Sequence, residues 1–372
     1  MSRVVVGMSG GVDSAVSAYL LKLAGYEVVG VTLRSWLSSD GKESRCCEID
    51  DARRVAWKLG MPYYVVNCMA EFRNLITKPF IEEYMRGVTP NPCVLCNPLI
   101  KWEKMIEAAR VMGADHIATG HYASVVRKEN GRYTVRKALS SEKDQTYMLY
   151  RLSQEQLAAT IMPLGNLSKA QVREIAGKAG LPVASKKDSQ EICFVTQGDY
   201  ADYIEENAEQ EIPAEGDFID EEGAVVGRHK GIIHYTVGQR KGLGLALGYP
   251  VYVKEIRASE NVVVIGKESS LFRKELICKD LNFMSIPGLR PGEELDCAVK
   301  VRYHHPEQKA RICMQENGLV KVLFDEEVMA PSPGQSAVFY DEEDCVIGGG
   351  IICCGCDGED RSGAFVRKSG TK

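Results

Sequence analysis

Gly7-Met8-Ser9-Gly10-Gly11-Val12-Asp13-Ser14 follows an apolar β-branched run at residues 4–6 and leads into a helical pattern at residues 15–24. A strand that turns through glycine and serine into a helix directs several backbone N–H groups, and the positive end of the helix dipole, at one place. Phosphate binds readily there, because the glycines leave room for oxygens and the serine hydroxyls add donors. Asp13 can also hold a magnesium ion.

We therefore predict a phosphate-binding loop at residues 7–14. It is not a Walker A loop, because no lysine follows the second glycine. The plain structural alternative is a Gly/Ser turn that is capped by Asp13 and Ser14.

Length and composition limit the class of protein. A chain of 372 residues with 45% hydrophobic residues is long enough for two or three globular domains. We expect a cytosolic protein with no membrane association, because no apolar run approaches the ~18 residues of a membrane helix and no signal-peptide pattern is present. The 13 cysteines are then expected to be buried thiols, catalysts or metal ligands rather than disulfides. The formal charge of −5 does not indicate nucleic-acid binding, although it allows a local basic face.

Strand and helix patterns alternate in the first third of the chain. Strand patterns occur at residues 4–6, 27–33, 63–66 and 115–119, and helical patterns at residues 15–24, 50–59, 71–86 and 98–112. This alternation predicts an α/β fold with a doubly wound parallel sheet, which binds ligands at the carboxyl ends of its strands. We expect the loops after Val6, Thr32 and Thr119 to face one crevice.

The pattern changes twice further along the chain. It is helical from residue 153, with Ser168 as the N-cap of a helix that ends near Gly180. Short strand patterns then follow at residues 231–235, 251–253, 261–265, 295–303, 310–314, 319–324, 336–340 and 345–354. The last five predict a small closed barrel. We place an α/β domain at residues 1–205, a small middle domain at 206–272, a β-barrel at 273–358 and a polar tail at 359–372.

Three cysteines stand out because they fall in predicted loops. Cys93 and Cys96 form a C-x-x-C in the Pro-rich stretch 87–97, and Cys193 lies in the loop 186–194. Structural buried thiols are the plain alternative, and we assign that role to Cys46, Cys47, Cys353, Cys354 and Cys356. Zinc is disfavoured because no second C-x-x-C follows. A thioredoxin-like pair is also disfavoured, because such a pair sits at a helix N-terminus directly after a strand, and the sequence does not place this pair there.

Two chemical hypotheses remain for these three thiols. In the first, one thiol carries a persulfide sulfur and another resolves it as a disulfide. In the second, Cys93, Cys96 and Cys193 hold three irons of a 4Fe-4S cluster, whose fourth iron is open to sulfide.

Other polar groups are ambiguous from position alone. His121 leaves a predicted strand at the crevice, where a structural and an active-site role are both open. Lys143-Asp144-Gln145 has the composition of a solvated turn. Arg302-Tyr303 and the two histidines that follow combine positive charge with aromatic faces, the mixture that holds phosphates and stacks on unpaired bases.

The loop at residues 7–14 resembles the pyrophosphate-binding loop of the ATP pyrophosphatase superfamily, whose members cleave ATP between the α and β phosphates and form an adenylated intermediate. The chain carries further motifs in a fixed order, which are T-P-N-P-C-x-x-C-N at 89–97, A-T-G-H-Y at 118–122, K-D-Q at 143–145, D-S-x-x-I-C-F at 188–194, V-G-Q-R at 237–240 and P-G-Q at 333–335. With these motifs the chain resembles the tRNA-specific 2-thiouridylase family over residues 3–356.

The resemblance implies ATP-dependent thiolation of the wobble uridine of tRNA, in which the C2 oxygen is adenylated and sulfur then displaces AMP. ATP and Mg²⁺ would bind Gly7, Met8, Ser9, Gly10, Gly11, Val12, Asp13, Ser14, Leu33 and Gly120. The target base would meet Asn91, Pro92 and Cys93, and tRNA would touch His121, Lys143, Asp144, Gln145, Arg302, Tyr303 and Gln335. Cys96 matches the family's nucleophile and Cys193 its persulfide carrier.

The resemblance also implies partners, namely tRNA and a sulfur donor that is either a persulfide carrier protein or free sulfide. We expect a monomer or weak dimer. One departure concerns Cys93, because the best-known members have Asp at this position. The three thiols are similar to those of iron–sulfur-dependent tRNA thiolases, so the cluster and persulfide hypotheses both stay open. The rival functions are an ATP-dependent ligase for a small metabolite and a non-catalytic tRNA-binding protein.

Overall fold

The structure is a computed structural model that describes residues 2–37, 48–186 and 192–353. Several predictions fall outside the described residues. They concern Cys46, Cys47, Cys354, Cys356, the first part of the loop before Cys193 and the polar tail.

A five-stranded parallel sheet forms the centre of the first part of the chain, with the order β3-β2-β1-β4-β7. In chain order the strands are β1 (Arg3–Gly7), β2 (Glu27–Arg34), β3 (Tyr63–Asn67), β4 (His116–Ala118), β5 (Ala123–Arg127), β6 (Tyr133–Lys137) and β7 (Thr160–Ile161). Strands β5 and β6 pair as an antiparallel hairpin that the sequence pattern does not predict. Because β1 lies between β2 and β4, the strand order reverses beside β1. Open α/β sheets bind ligands at such a reversal.

Helices cover both faces of this sheet. They are α1 (Val12–Leu23), α2 (Ile49–Leu59), α3 (Met69–Phe72), α4 (Lys78–Met85), α5 (Pro92–Cys96), α6 (Glu103–Val111), α7 (Gln154–Ala158), α8 (Lys169–Lys178) and α9 (Tyr200–Asn207). Residues Val4 and Val6 pack in one core cluster with α1, α2 and α8, whereas Val5 packs in a second cluster with α6. This division follows from the alternation of side chains along a strand. The predicted doubly wound sheet is confirmed, and so is the Ser168 N-cap of α8.

The C-x-x-C pair lies in the first turn of a helix, so the prediction that it lies in a loop is wrong. Asn91 is the N-cap of α5, where its side-chain oxygen accepts a hydrogen bond of 3.2 Å from the Cys93 N–H, and Pro92 occupies the first helical position. Both are ordinary helix-start signals. A π-helical stretch, Asn97–Trp102, connects α5 directly to α6, and another, Arg73–Thr77, connects α3 to α4.

A four-stranded sheet with the order β10-β11-β8-β9 follows. Its strands are β8 (Gly216–Ile219), β9 (Val225–His229), β10 (Tyr252–Arg257) and β11 (Val262–Gly266). The strand predicted at residues 231–235 is wrong, because Ile232–His234 is a short 3-10 helix. The turn before it is fixed by Gly231, which has a φ of 122° and whose N–H donates to Nδ1 of His229. A short apolar run does not distinguish between these conformations.

The last sheet closes on itself, as the strand pattern predicts, into a six-stranded antiparallel barrel of order β12-β15-β14-β13-β16-β17. The strands are β12 (Phe272–Phe283), β13 (Glu294–Lys300), β14 (Gln308–Met314), β15 (Val320–Met329), β16 (Ser336–Tyr340) and β17 (Val346–Ile352). The barrel packs on the α/β part through buried tyrosines. The Tyr147 hydroxyl donates to the Ser336 carbonyl over 2.9 Å, and the Ser336 hydroxyl donates to that of Tyr150 over 3.2 Å.

We also looked for helices that could cross a membrane. Within the described ranges, no helix combines the length and the apolar character that a membrane span needs.

Candidate active site

A cavity of about 210 Å³ opens at the carboxyl ends of β1, β2 and β4. The loops after these strands face it together, as the sequence predicts. Its walls combine the phosphate-loop residues with a cysteine, a lysine and a histidine, and they consist of Gly7, Met8, Ser9, Asp13, Ser14, Val31, Leu33, Ser35, Cys96, Ile100, Lys101, Met105, Thr119, Gly120, His121 and Gln145.

Hydrogen bonds between the Ser14 hydroxyl and the backbone fix the shape of the loop after β1. The Ser14 hydroxyl donates to the Gly11 carbonyl over 3.1 Å and accepts from the Ser9 N–H over 3.2 Å. Gly10 has a φ of 78°, and a Cβ there would lie 2.6 Å from the Glu48 carbonyl oxygen. The loop therefore depends on glycine at this position both for its left-handed backbone and for its close contact with the start of α2.

Gly120 brings the loop after β4 against the phosphate loop. A Cβ at this residue would lie 2.8 Å from the backbone carbon of Asp13 and 2.8 Å from the backbone nitrogen of Ser14. Backbone atoms cannot move aside as a flexible side chain can, so only glycine fits this approach.

Asp13 is held by two partners from distant parts of the chain. The Lys169 ammonium donates to both carboxylate oxygens over 2.8 Å, and the Tyr122 hydroxyl donates to Oδ1 over 2.8 Å. Lys169 is 156 residues away in sequence and is the first residue of α8. No local pattern connects it to the loop, and so sequence reasoning missed it.

Lys186 contacts the phosphate loop at Gly10. Its ammonium donates to the Gly10 carbonyl over 3.1 Å and forms ion pairs with Glu48 and Asp51. Burial alone would lower the pKa of Lys186, but the hydrogen bonds and charges of Asp51 and Glu48 raise it above its ordinary value. The phosphate loop, the start of α2 and the chain that leads to Cys193 are thereby joined at one point.

The three cysteines are divided between two environments. Cys96 is buried and belongs to a hydrophobic cluster against which the half-buried Cys193 also packs. Cys93 instead lies near Tyr303, whose pKa is raised by burial and then by the charges of Asp144 and Cys93. Within residues 2–37, 48–186 and 192–353, no three His, Cys, Asp or Glu side chains lie close enough together to hold a metal ion. In the described structure the three thiols are therefore not gathered around one point.

A second group of polar residues surrounds the start of α5. The Asn91 amide contacts Sδ of Met148 at 3.4 Å, and the Asn97 amide donates to the Met148 carbonyl over 2.8 Å. The Asn97 side-chain oxygen is buried without a hydrogen-bond partner in the part of the chain that the structure describes. Pro92 is buried beside them. Met148 was not singled out from sequence, because its contacts depend on the fold.

His121 lies on the cavity wall as a neutral imidazole. Its Nδ1 is 2.9 Å from the Thr119 hydroxyl, and its ring centroid is 5.4 Å from that of Trp102. Burial, assisted by the charge of Lys101, lowers its pKa to about 3. His121 can therefore donate or accept a hydrogen bond in this cavity, but it carries no charge near neutral pH.

The Lys143-Asp144-Gln145 segment is more buried than a solvated turn. Asp144 accepts hydrogen bonds from the Ala138 N–H over 3.0 Å and from the Thr146 hydroxyl over 2.6 Å. The Gln145 side-chain oxygen accepts from the Tyr122 N–H over 2.9 Å, and this side chain lines the cavity. Lys143 ends a short 3-10 helix, Ser141–Lys143.

The predicted tRNA contacts in the barrel lie outside the cavity wall. Arg302 donates to the carbonyls of Val237 and Ala330, each over 2.8 Å, and burial lowers its pKa. Gln335 donates to the Thr89 carbonyl over 2.9 Å, just before α5. Both side chains connect the barrel to other parts of the chain, so their role in tRNA binding stays a prediction.

Three family models match the chain in succession. They are the tRNA methyl transferase HUP domain at residues 2–197, the tRNA methyl transferase PRC-barrel domain at residues 201–267 and the aminomethyltransferase beta-barrel domain at residues 273–352.

The chain is also similar to curated proteins along nearly its whole length. It is 49% identical over 359 residues to the tRNA-specific 2-thiouridylase MnmA of Lachnoclostridium phytofermentans, covering 95% of this chain and 99% of the relative. The tRNA-specific 2-thiouridylase MnmA of Acetivibrio thermocellus is 51% identical over 358 residues, covering 94% of this chain and 99% of the relative. Among solved structures, the U34-tRNA thiolase NcsA from Methanococcus maripaludis with its 4Fe-4S cluster aligns at a TM-score of 0.35 and 20% identity, over 52% of this chain and 61% of that one.

Proposed function

Because the chain belongs to the tRNA-specific 2-thiouridylase family, we propose that it uses ATP to replace the C2 oxygen of the tRNA wobble uridine with sulfur. One observation carries this proposal: the phosphate loop and the thiol of Cys96 line the same cavity. A site that activates a carbonyl oxygen with ATP and then supplies sulfur needs both groups in one place. A small-metabolite ligase would leave the thiol without a role, and a non-catalytic tRNA-binding protein would leave both the loop and the thiol without one.

The first half of the reaction is adenylation of the uridine. The C2 oxygen attacks the α-phosphorus of ATP, the bond from that phosphorus to the pyrophosphate oxygen breaks, and its electron pair leaves with pyrophosphate. N3 releases its proton to water. The backbone N–H groups of the phosphate loop bind the pyrophosphate. Asp13, a residue of the cavity wall whose two carboxylate oxygens also accept from Lys169, would hold the Mg²⁺ that neutralises phosphate charge when bound.

Neutral polar groups then orient the base. His121 and Gln145 line the cavity, and both are uncharged at neutral pH. They can therefore hydrogen-bond to the base without attracting the phosphates of ATP. With a pKa of about 3, His121 is too weak a base to remove the N3 proton at neutral pH, so we assign it a hydrogen-bonding role.

The second half transfers sulfur from a persulfide on Cys193. The Cys96 thiolate attacks the Cys193 sulfur, a Cys96–Cys193 disulfide forms, and the terminal sulfur leaves as hydrosulfide. Hydrosulfide attacks C2, the C–O bond breaks with its electron pair on AMP, and the hydrosulfide proton passes to N3. An external thiol then reduces the disulfide. The hydrophobic cluster that Cys96 and Cys193 share supports this pairing.

An isotope experiment tests adenylation directly. The protein is incubated with ATP, a persulfide donor and unmodified tRNA that carries oxygen-18 at O2 of its uridines. We expect 2-thiouridine in the tRNA and one oxygen-18 in the phosphate of each AMP released. Thiolated tRNA with unlabelled AMP would overturn adenylation, AMP without thiolated tRNA would favour the ligase, and tRNA binding without ATP turnover would favour the non-catalytic protein.

Cysteine substitutions test the sulfur route. We expect Cys96→Ser and Cys193→Ser to abolish thiolation and Cys93→Ala to retain most of it. The same variants are purified without oxygen, and their iron and acid-labile sulfide are measured. Loss of thiolation in Cys93→Ala together with bound iron and sulfide would overturn the two-thiol route in favour of a cluster.

The remaining partners and the setting are part of the proposal. A persulfide carrier protein would load Cys193, whereas free sulfide could only attack C2 directly. The chain acts in the cytosol as a monomer or weak dimer. Thiolation assays that compare sulfide alone with a cysteine desulfurase and cysteine test the donor. Light scattering with and without tRNA tests the oligomeric state.

A further inference from the structure

Lys101 occupies a distinctive place on the cavity wall. Among the described residues that line the cavity, it is the single Lys or Arg side chain. The same wall holds the phosphate-loop residues Ser9 and Asp13 as well as Cys96. Nothing in the sequence pattern pointed to it, because a lone lysine in an amphipathic helix ordinarily faces solvent.

The π-helical stretch explains how Lys101 reaches the cavity. Lys101 follows Cys96 by five positions, and Asn97–Trp102 is π-helical. In a regular α-helix the fifth residue along would lie about 140° around the axis from Cys96. The i→i+5 hydrogen bonding of a π-helix makes a wider turn, which returns that residue toward the side of the first. The irregular turn thereby places a thiol and an ammonium on one wall.

The proposed chemistry needs a cation at this position. The phosphate loop has no lysine of the Walker A kind. Negative charge develops on the α-phosphoryl oxygens as the bond to uridine forms and the bond to pyrophosphate breaks, and fixed cations in a cavity stabilise such charge strongly. His121 is neutral and does not provide it.

We infer that Lys101 is a catalytic residue that contacts the α-phosphate of ATP and stabilises the charge that develops there during adenylation. This inference rests on the proposed function. Lys101 shares the cavity wall with the loop proposed to bind pyrophosphate and with Cys96. The α-phosphorus reacts where the two substrates meet in this cavity.

Adenylation is measured apart from sulfur transfer in a Cys96→Ser background. The readout is transfer of label from α-³²P-ATP to tRNA. We expect Lys101→Met to slow this transfer by about 100-fold, with a smaller change in the KM for ATP, and Lys101→Arg to recover part of the rate. In Lys101→Gly, added methylammonium should raise the rate, which a purely structural lysine would not allow.

Lys104→Met is the matched control, because Lys104 lies three residues further along the same helix and pairs with Glu71 and Glu107. We expect its adenylation rate to equal that of the parent protein. Adenylation by Lys101→Met within threefold of the Cys96→Ser parent would overturn the role at the α-phosphate. Lost thiolation in the single Lys101→Met variant, together with intact adenylation in the Cys96→Ser background, would also overturn it. Absence of labelled tRNA with the parent protein would instead refute the proposed function, and unfolding midpoints separate both results from misfolding.

Discussion

The ammonium group of Lys169 lies 2.8 Å from each carboxylate oxygen of Asp13. Asp13 is in the first turn of α1, at the end of the predicted phosphate-binding loop. A carboxylate there repels phosphate unless a cation neutralises it. The pair therefore reconciles an acidic residue with an anion-binding loop, and it also connects α8 to α1.

We expect Lys169→Met to raise the KM for ATP by roughly tenfold, equivalent to about 1.4 kcal/mol, because the Asp13 carboxylate is then no longer neutralised and repels the phosphates. The turnover rate at saturating ATP should change less. Initial rates of thiolation over a range of ATP concentrations at fixed Mg²⁺ measure both constants.

Lys178→Met provides the control for this experiment, since Lys178 lies in the same helix and pairs only with the exposed Glu174 among its described ion-pair partners. Its KM should match that of the parent protein. An unchanged KM in Lys169→Met would mean that the pair does not influence nucleotide binding.

Gly120→Ala should abolish detectable ATP binding. The added Cβ would lie 2.8 Å from backbone atoms of Asp13 and Ser14, so the phosphate loop must shift. Calorimetric titration with a non-hydrolysable ATP analogue measures the effect. Gly177→Ala, in the last turn of α8 with open space where the added Cβ would lie, should bind normally and gain up to about 0.5–1 kcal/mol of stability. Normal binding by Gly120→Ala would contradict the close packing of these loops.

His121 should not titrate in the pH range in which the enzyme works. Burial lowers its pKa from 6.5 to about 3. Between these two pH values the unfolded chain binds a proton at His121 and the folded chain does not. Stability is consequently lost as the pH falls from about 6.5 toward 3, by up to about 1.4 kcal/mol per pH unit. Denaturation at pH 7 and pH 5 should show a steeper loss for the parent protein than for His121→Gln, and equal slopes would contradict the low pKa.

Arg302→Met should destabilise the protein by about 2 kcal/mol, because two buried carbonyl groups lose a charged donor. Arg311→Met, in an exposed pair with Asp296, should leave the unfolding midpoint nearly unchanged. Thermal unfolding and tRNA binding are measured on the same samples. If Arg302→Met weakens tRNA binding without any change in midpoint, its main role is at the tRNA surface.

Features with a local physical signal could be predicted from the sequence. The phosphate loop, the strand–helix alternation and the Ser168 cap each depend on residues close together in the chain. The same holds for the barrel, whose strands β13 to β17 have clear patterns. The family resemblance added the roles of Cys96 and Cys193, which no local pattern specifies.

Features that depend on distant contacts could not be predicted in this way. Lys169 meets Asp13 only because α8 packs beside α1, and Lys101 shares a cavity wall with Cys96 because the intervening turn is π-helical. The C-x-x-C pair was misplaced for a different reason. Its Pro-rich surroundings were interpreted as a loop, although Asn91 and Pro92 form the start of a helix.

Lys186 has a further consequence for how the two substrates affect each other. Its ammonium binds the Gly10 carbonyl of the phosphate loop, and it precedes Cys193 by seven residues in the chain. If this bond couples ATP binding to sulfur loading on Cys193, each of these two equilibria shifts the other by the same factor. ATP affinity measured with and without a persulfide on Cys193 would therefore give the factor by which ATP changes sulfur loading.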